Sequence, residues 1–161
     1  MNEIAISRLS LADAHELAPL IAAYTQDRKR GAPREPDQYY AELLLKDRVA
    51  EILGARLDGR LVGFAVFFDL PDTMTGMRGG QLDDIFVIQD ARNRGAGQAL
   101  VAALTGEASG RGWTQLRWMV PEKPPNARRL ATKLAERGGT ATFAIRFERR
   151  PVPPAATDGP T

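Results

Sequence analysis

Between Gln81 and Gln98 the chain passes from an apolar run through a glycine turn into a helical pattern, and this junction constrains the fold most. Leu82, Ile85, Phe86, Val87 and Ile88 put apolar side chains on both faces of a strand, as in a sheet covered on both sides. Arg92-Asn93-Arg94-Gly95-Ala96-Gly97 follows, and Leu100, Val101, Leu104 and Ala108 then mark a helix ending near Gly110 or Gly112. The first N–H groups of a helix lack intrahelical partners, and its dipole adds partial positive charge at the same end. Glycines there remove the Cβ atoms that would hold a ligand off the backbone. A diphosphate suits such a junction, and Arg92 or Arg94 could add charge-assisted bonds. Two phosphate loops are excluded. Leu100 stands where the dinucleotide fingerprint needs a third glycine, and Gly97 is followed by Gln98 and Ala99 rather than Lys and Ser or Thr. The alternative is a tight turn whose glycines serve the backbone alone.

The rest of the chain supplies a sheet for this junction. Ile4-Ala5-Ile6 reads as a short strand, and Ser10-x-x-Asp13 as a helix start. Leu17, Leu20, Ile21 and Tyr24 form one helical face, with Pro19 either delaying the helix or kinking it. A polar loop over residues 26–37 leads to a second helix over 37–47, with Tyr40, Leu43 and Leu44 inward. Residues 51–56 and 61–69 read as strands joined by an Asp58-Gly59 hairpin turn, and residues 71–80 as a loop. Residues 116–120 form another strand. Ala127, Leu130, Ala131 and Leu134 mark a helix whose wet face carries Arg128, Arg129, Lys133 and Arg137. Residues 141–147 read as a final strand. The order is βααβββαβαβ, an α/β (α+β) fold with a mixed central sheet flanked by helices. One domain occupies residues 1–150, and residues 151–161, with four prolines, form a flexible tail.

Composition narrows the chemistry. The 161 residues hold no cysteine and one histidine, His15, which excludes disulfides, thiol nucleophiles and a two-His zinc site. No metal site is expected. Ser7, Ser10 and Ser109 lie outside any nucleophile elbow. Eighteen Arg and four Lys are scattered and balanced by 20 acids, so no basic stripe points to nucleic acid. No apolar run is long enough to span a bilayer and no leader is evident, so the expected place is the cytoplasm.

The segment from Leu82 to Leu100 resembles the acetyl-CoA motif of the GNAT N-acetyltransferase superfamily. Val87, Arg92, Gly95 and Gly97 stand at the positions of V-x-x-x-x-[Q/R]-x-x-G-x-[G/A], and the element order is similar over about residues 3–149. The resemblance implies a GNAT-like sheet whose two parallel strands, 82–88 and 116–120, splay apart at the coenzyme site. It implies that the backbone of Ile85, Phe86 and Val87 pairs with the pantetheine arm. It further implies that Asn93, Arg94, Gly95, Ala96, Gly97 and Gln98 cradle the pyrophosphate with Arg92, and that Asn126 touches the arm. The co-substrate is then acetyl-CoA, the partner a small-molecule amine, and the assembly a homodimer.

Acetyl transfer requires a neutral amine, and a primary amine with a pKa of about 10 must lose a proton. Asp83 and Asp84 precede the coenzyme residues, and neighbours on a strand face opposite ways, so one of them faces the acceptor. The pair resembles the Glu-Asp pair of the diamine and polyamine acetyltransferase branch, where the first acid is the base, which selects Asp83. A protein N-terminus or lysine is the alternative acceptor. The chain departs from the family at the tyrosine of the last helix, which would protonate the leaving thiolate. Ala131, Lys133 or Ala135 stands there, and no tyrosine follows Tyr40. Tyr24, Tyr39 or Tyr40 could reach the site instead. Without that acid, a slow or non-catalytic acyl-CoA-binding module is the alternative function.

Overall fold

Asp58 and Gly59 take left-handed backbone angles, with φ of 49° and 83°, and this two-residue turn sets the register of the central hairpin. The turn pairs Leu57 with Arg60, which joins β2 (Ala50–Leu57) to β3 (Arg60–Pro71). The structure is a computed structural model and describes residues 3–28, 35–122 and 125–147. β1 (Ile4–Arg8) leads to α1 (Ala14–Asp27) and α2 (Gln38–Lys46), ahead of the hairpin. β4 (Arg78–Val87), α3 (Ala96–Arg111), β5 (Trp113–Trp118) and α4 (Pro125–Leu134) follow it. The sheet order is β1-β2-β3-β4-β5. Its pairs are antiparallel except β4 with β5, which run parallel, so the fold is the expected mixed sheet flanked by helices.

β3 lies at the centre because successive residues are apolar on both faces. Val62, Ala65 and Phe67 join Leu82, Leu100 and Leu104 beneath α3. Leu61, Phe64 and Val66 join Leu17, Ile21 and Ala41 beneath α1 and α2. Removing side chains of this size from water contributes about 1.5–3 kcal/mol each.

Several boundaries differ from the sequence reading. Pro19 lies inside α1, which starts at Ala14 and is not delayed. The inward face of α2 is Ala41, Leu44 and Leu45, while Tyr40 and Leu43 are exposed. This is a rotation of one residue, about 100° on a helix. β4 begins at Arg78, not Gln81, because Gly79 and Gly80 pair with β3. A Cβ at Gly80 would stand 2.5 Å from the Trp113 ring, so glycine here makes room for an aromatic neighbour. β5 is correspondingly earlier, at Trp113–Trp118. The final strand does not form: residues 141–147 have no regular structure and, among the described residues, no ladder partner. Alternation supplies a strand with a face but not with a neighbour. Residues 29–34 of the polar loop and the proline-rich tail lie outside the described residues.

One end of the sheet is fastened by charge. Arg111, at the C-terminus of α3, donates to Glu51 on β2 at 2.9 Å and to Glu107 at 2.6 Å. Its guanidinium also lies over the Phe67 and Trp113 rings, 5.4 and 5.6 Å from their centroids. Asp69 accepts from Trp113 Nε1 at 3.0 Å and from Arg78 Nε at 2.7 Å. The hydrogen bonds from Arg111 hold the Glu51 carboxyl below its ordinary value of 4.5 and raise the pKa of Arg111. At Asp69 burial pushes the carboxyl upward, but the bonds from Trp113 and Arg78 outweigh it. A carboxyl lowered by folding stabilises the fold above its unfolded pKa, and the gain is lost as pH falls through the folded value. Glu51→Gln should cost about 2 kcal/mol at pH 7. In denaturant unfolding across pH 7 to 3, the unsubstituted chain should lose stability below about pH 4.5 more steeply than the variant.

Candidate active site

The site begins with an irregularity in β4. Val66 pairs with Asp84 and Phe67 with Leu82, so Asp83 is an extra residue in the register of β4 against β3. Such a bulge bends a strand and re-aims its side chains. On the other side, the pairing of β4 with β5 stops at Leu82 and Trp118, and the N–H of Met119 closes it by donating to Leu82 O at 2.9 Å. β4 stays paired with β3 as far as Val87. The two parallel strands therefore part, and a cavity of about 500 Å³ opens between them. Asp83, Ile85, Phe86 and Val87 form one wall, and Trp118, Met119 and Val120 the other.

The glycine turn forms the floor. Asn93 and Gly95 have φ of 61° and 89°, and Gly95 caps α3. Its carbonyl takes the first helical bond, from Ala99 N–H at 2.9 Å. The first turn of α3 contains no acid that would offset its positive end. Asn93, Gly95, Ala96, Gly97 and Gln98 line the cavity. Gly97 also meets a packing demand, because a Cβ there would stand 2.9 Å from Leu130 Cδ2 on α4.

The two candidate arginines separate. Arg92 lines the cavity, but its guanidinium is already engaged. Nε donates to Val87 O at 2.9 Å, Nη2 pairs with Asp27 at 3.2 Å, and the group lies over the Phe86 ring. It ties the glycine turn to β4 and α1. Arg94 is exposed and lies off the cavity wall. Arg129 and Lys133 of α4 do line the cavity, although the sequence reading put them on a solvated helix face. Their spacing of four residues was the available signal. Asn126 lies in the first turn of α4.

The adjacent acids also separate. Asp83 faces the cavity and accepts from Gln81 Nε2 at 3.4 Å. Asp84 turns toward α1, where the Tyr24 hydroxyl donates to it in a very short hydrogen bond. Tyr24 lines the cavity together with Asp27 and Arg28. Its ring meets Phe64 edge-on at 5.8 Å and Phe86 at 5.5 Å, and Arg28 lies over it. Tyr39 and Tyr40 are exposed and do not line the cavity. The Tyr24 hydroxyl and the carboxylates of Asp27 and Asp83 thus share one opening with the glycine turn and with Arg28, Arg92, Arg129 and Lys133.

Comparison with known proteins gives this geometry a setting. The family described as "Acetyltransferase (GNAT) family" matches residues 17–135. The chain is 45% identical to a crystal structure called ribosomal-protein-alanine N-acetyltransferase from Brucella melitensis biovar Abortus 2308. That match has a TM-score of 0.83 and covers 90% of this chain and 99% of the other. The uncharacterized N-acetyltransferase YhfO of Bacillus subtilis (strain 168) is 26% identical over 98 residues, or 61% of this chain and 66% of YhfO. An aminoglycoside acetyltransferase, meta-AAC0020, from an uncultured soil metagenomic sample was solved with sisomicin. It shares the fold with a TM-score of 0.74 at 16% identity, covering 91% of this chain and 97% of that one.

Tyr24→Phe removes the donor to Asp84 while keeping the aromatic packing. Urea unfolding of this variant should show a loss of about 1–3 kcal/mol, the cost of leaving a partly buried acceptor without its donor.

Proposed function

We propose that this chain, which belongs to the GNAT acetyltransferase family, moves an acetyl group from acetyl-CoA to a primary amine by direct attack on the thioester. The observation that carries the reading is the parting of β4 from β5 above the glycine turn, with Asp83 at its edge. The side of β4 turned away from β3, from Ile85 to Val87, offers backbone groups to the pantetheine amides, as an added strand would, with the Val87 carbonyl already accepting from Arg92. The N–H groups from Asn93 to Gln98 cradle the pyrophosphate, and Arg129 and Lys133 add positive charge beside it. Arg94 and Asn126 have secondary roles along the same arm.

Asp83 takes the proton of the incoming ammonium, directly or through one water, since Asp is a short side chain. The neutral nitrogen attacks the thioester carbon, and a backbone N–H near Val87 meets the oxyanion. The tetrahedral centre gives up the second proton on its nitrogen to water and collapses, the carbon–sulfur bond breaks and the coenzyme departs as a thiolate. A thiol pKa of about 8.5 lets it leave without a tyrosine acid in the last helix. Asp84 has a positioning role, since its hydrogen bond with Tyr24 ties the strand that carries Asp83 to α1.

A small cationic amine of the diamine or polyamine kind is the favoured acceptor, supported by Asp27 and Asp83 around one opening. A protein N-terminus is the second reading, supported by the 45% identity to the Brucella chain called ribosomal-protein-alanine N-acetyltransferase. The cytoplasm is the proposed place of action.

Free thiol release from acetyl-CoA tests this directly, because the chain has no cysteine to add background. Release should require an amine, and comparing diamines, an aminoglycoside and an alanine-terminated peptide identifies the acceptor class. Asp83→Asn should lower kcat/KM by about 100-fold or more. Thermal stabilisation by acetyl-CoA with no turnover on any acceptor would make the chain a binding module.

A further inference from the structure

Among the described residues, the cations that line the cavity are Arg28, Arg92, Arg129 and Lys133. Of these, only Lys133 can become a nucleophile. A guanidinium stays protonated in a protein, whereas an ammonium that loses a proton is a primary amine. The chain is sparing with lysine, at four against eighteen arginines, so an amine on this wall is the exception. Lys46, the other described lysine, lies on α2 away from the cavity and pairs with Glu42 at 3.5 Å. Lys133 is exposed, and among the described residues no carboxylate pairs with it.

α4 sets where this amine starts. A Cβ at Gly97 would stand 2.9 Å from Leu130 Cδ2 and 3.9 Å from Val87 Cγ2, so Leu130 and the end of β4 meet across the glycine turn. Lys133 is the third residue after Leu130, and side chains so spaced are neighbours on a helix, about 5–6 Å apart at Cβ. Its flexible four-carbon stem therefore begins near Val87, where the proposed reaction puts the thioester carbonyl. Asp83 opens on the same cavity.

We infer that Lys133 is a self-acetylation site: when acetyl-CoA fills the cavity and no acceptor is present, the Lys133 amine takes the acetyl group from the coenzyme bound in the same chain. The inference rests on the acetyl-transfer reading and extends it to an acceptor within the protein. The Lys133 ammonium gives one proton to Asp83, directly or through a water. Nζ attacks the thioester carbon and forms the amide bond, and the second proton on nitrogen passes to water. The carbon–sulfur bond breaks and the coenzyme leaves as a thiolate. The acetylated Nζ is neutral. One of the two α4 cations at the cavity is then lost, so a chain idling without acceptor weakens its own hold on the coenzyme.

The full chain is incubated with acetyl-CoA and no amine, digested, and each lysine followed by mass spectrometry. Lys133 should gain one acetyl group at least about 10-fold faster than Lys46, since only Lys133 is held beside the thioester. Its rate per chain should stay constant as the protein is diluted at saturating acetyl-CoA. Asp83→Asn should slow labelling of Lys133 and leave that of Lys46 unchanged. Lys133→Arg keeps the charge and should abolish the label without moving it to Lys46. By calorimetry the labelled chain should bind coenzyme A about 2- to 5-fold more weakly, the worth of one exposed charge pair. Equal labelling of Lys46 and Lys133 overturns the inference, as does labelling that rises with protein concentration. Amine-dependent thiol release with Lys133 unmodified overturns it and leaves the acetyl-transfer reading standing. Labelled Lys133 with no turnover on any added amine supports it and removes the external acceptor. Unmodified Lys133 with no thiol release on any amine overturns both.

Discussion

β4 is hydrogen-bonded to β3 along its whole length, but to β5 only as far as Leu82. Most of what the site can do follows from that inequality. A parallel pair that stayed together to Val87 would close the cavity and satisfy the backbone that now faces it. The bulge at Asp83 adds local bend to β4 where the partner strand is lost. The strand keeps its shape because β3 holds it from the other side, with Gly63 opposite Val87. A Cβ at Gly63 would stand 2.8 Å from the carbonyl oxygen of Phe86, so a larger residue would press on that wall.

The two ends of the sheet use charge differently. At the end fastened by Arg111, cations and acids pair with one another, and aromatic rings cover the guanidinium. At the open end, Arg92 is bound inward by Val87 O and Asp27, while Arg129 and Lys133 face the cavity. A similar division separates Asp83 from Asp84. One residue apart in sequence, they have different partners: a glutamine amide beside the cavity for one, a tyrosine hydroxyl amid an aromatic cluster for the other. Identical side chains acquire different chemistry from such surroundings.

Much of the site could be read from the chain because it is local. A glycine turn between a strand and a helix is fixed by nearby backbone angles, and Gly95 has the left-handed φ the turn demands. The hairpin at Asp58-Gly59 is equally local. Asp27, Arg129 and Lys133 were not assigned to the site by pattern, and Tyr24 was one of three tyrosines left open, because each reaches the cavity from a helix far away in sequence. A helical face is legible in sequence, but its rotation depends on what it packs against. That is why α2 turns Ala41 inward in place of Tyr40.

The final strand shows the same boundary. Residues 141–147 carry the alternation of a strand, yet the single chain leaves them without one. The sequence by itself determined the strand, the anion-cradling turn, the helix after it and the absence of thiol or histidine-pair chemistry. Each depends on residue identity or on contacts within a few positions. Only the tertiary structure decided where β4 and β5 part, which aspartate faces the gap and which tyrosine reaches it. Those outcomes depend on register, bulge and helix rotation, which are set by contacts between residues distant along the chain.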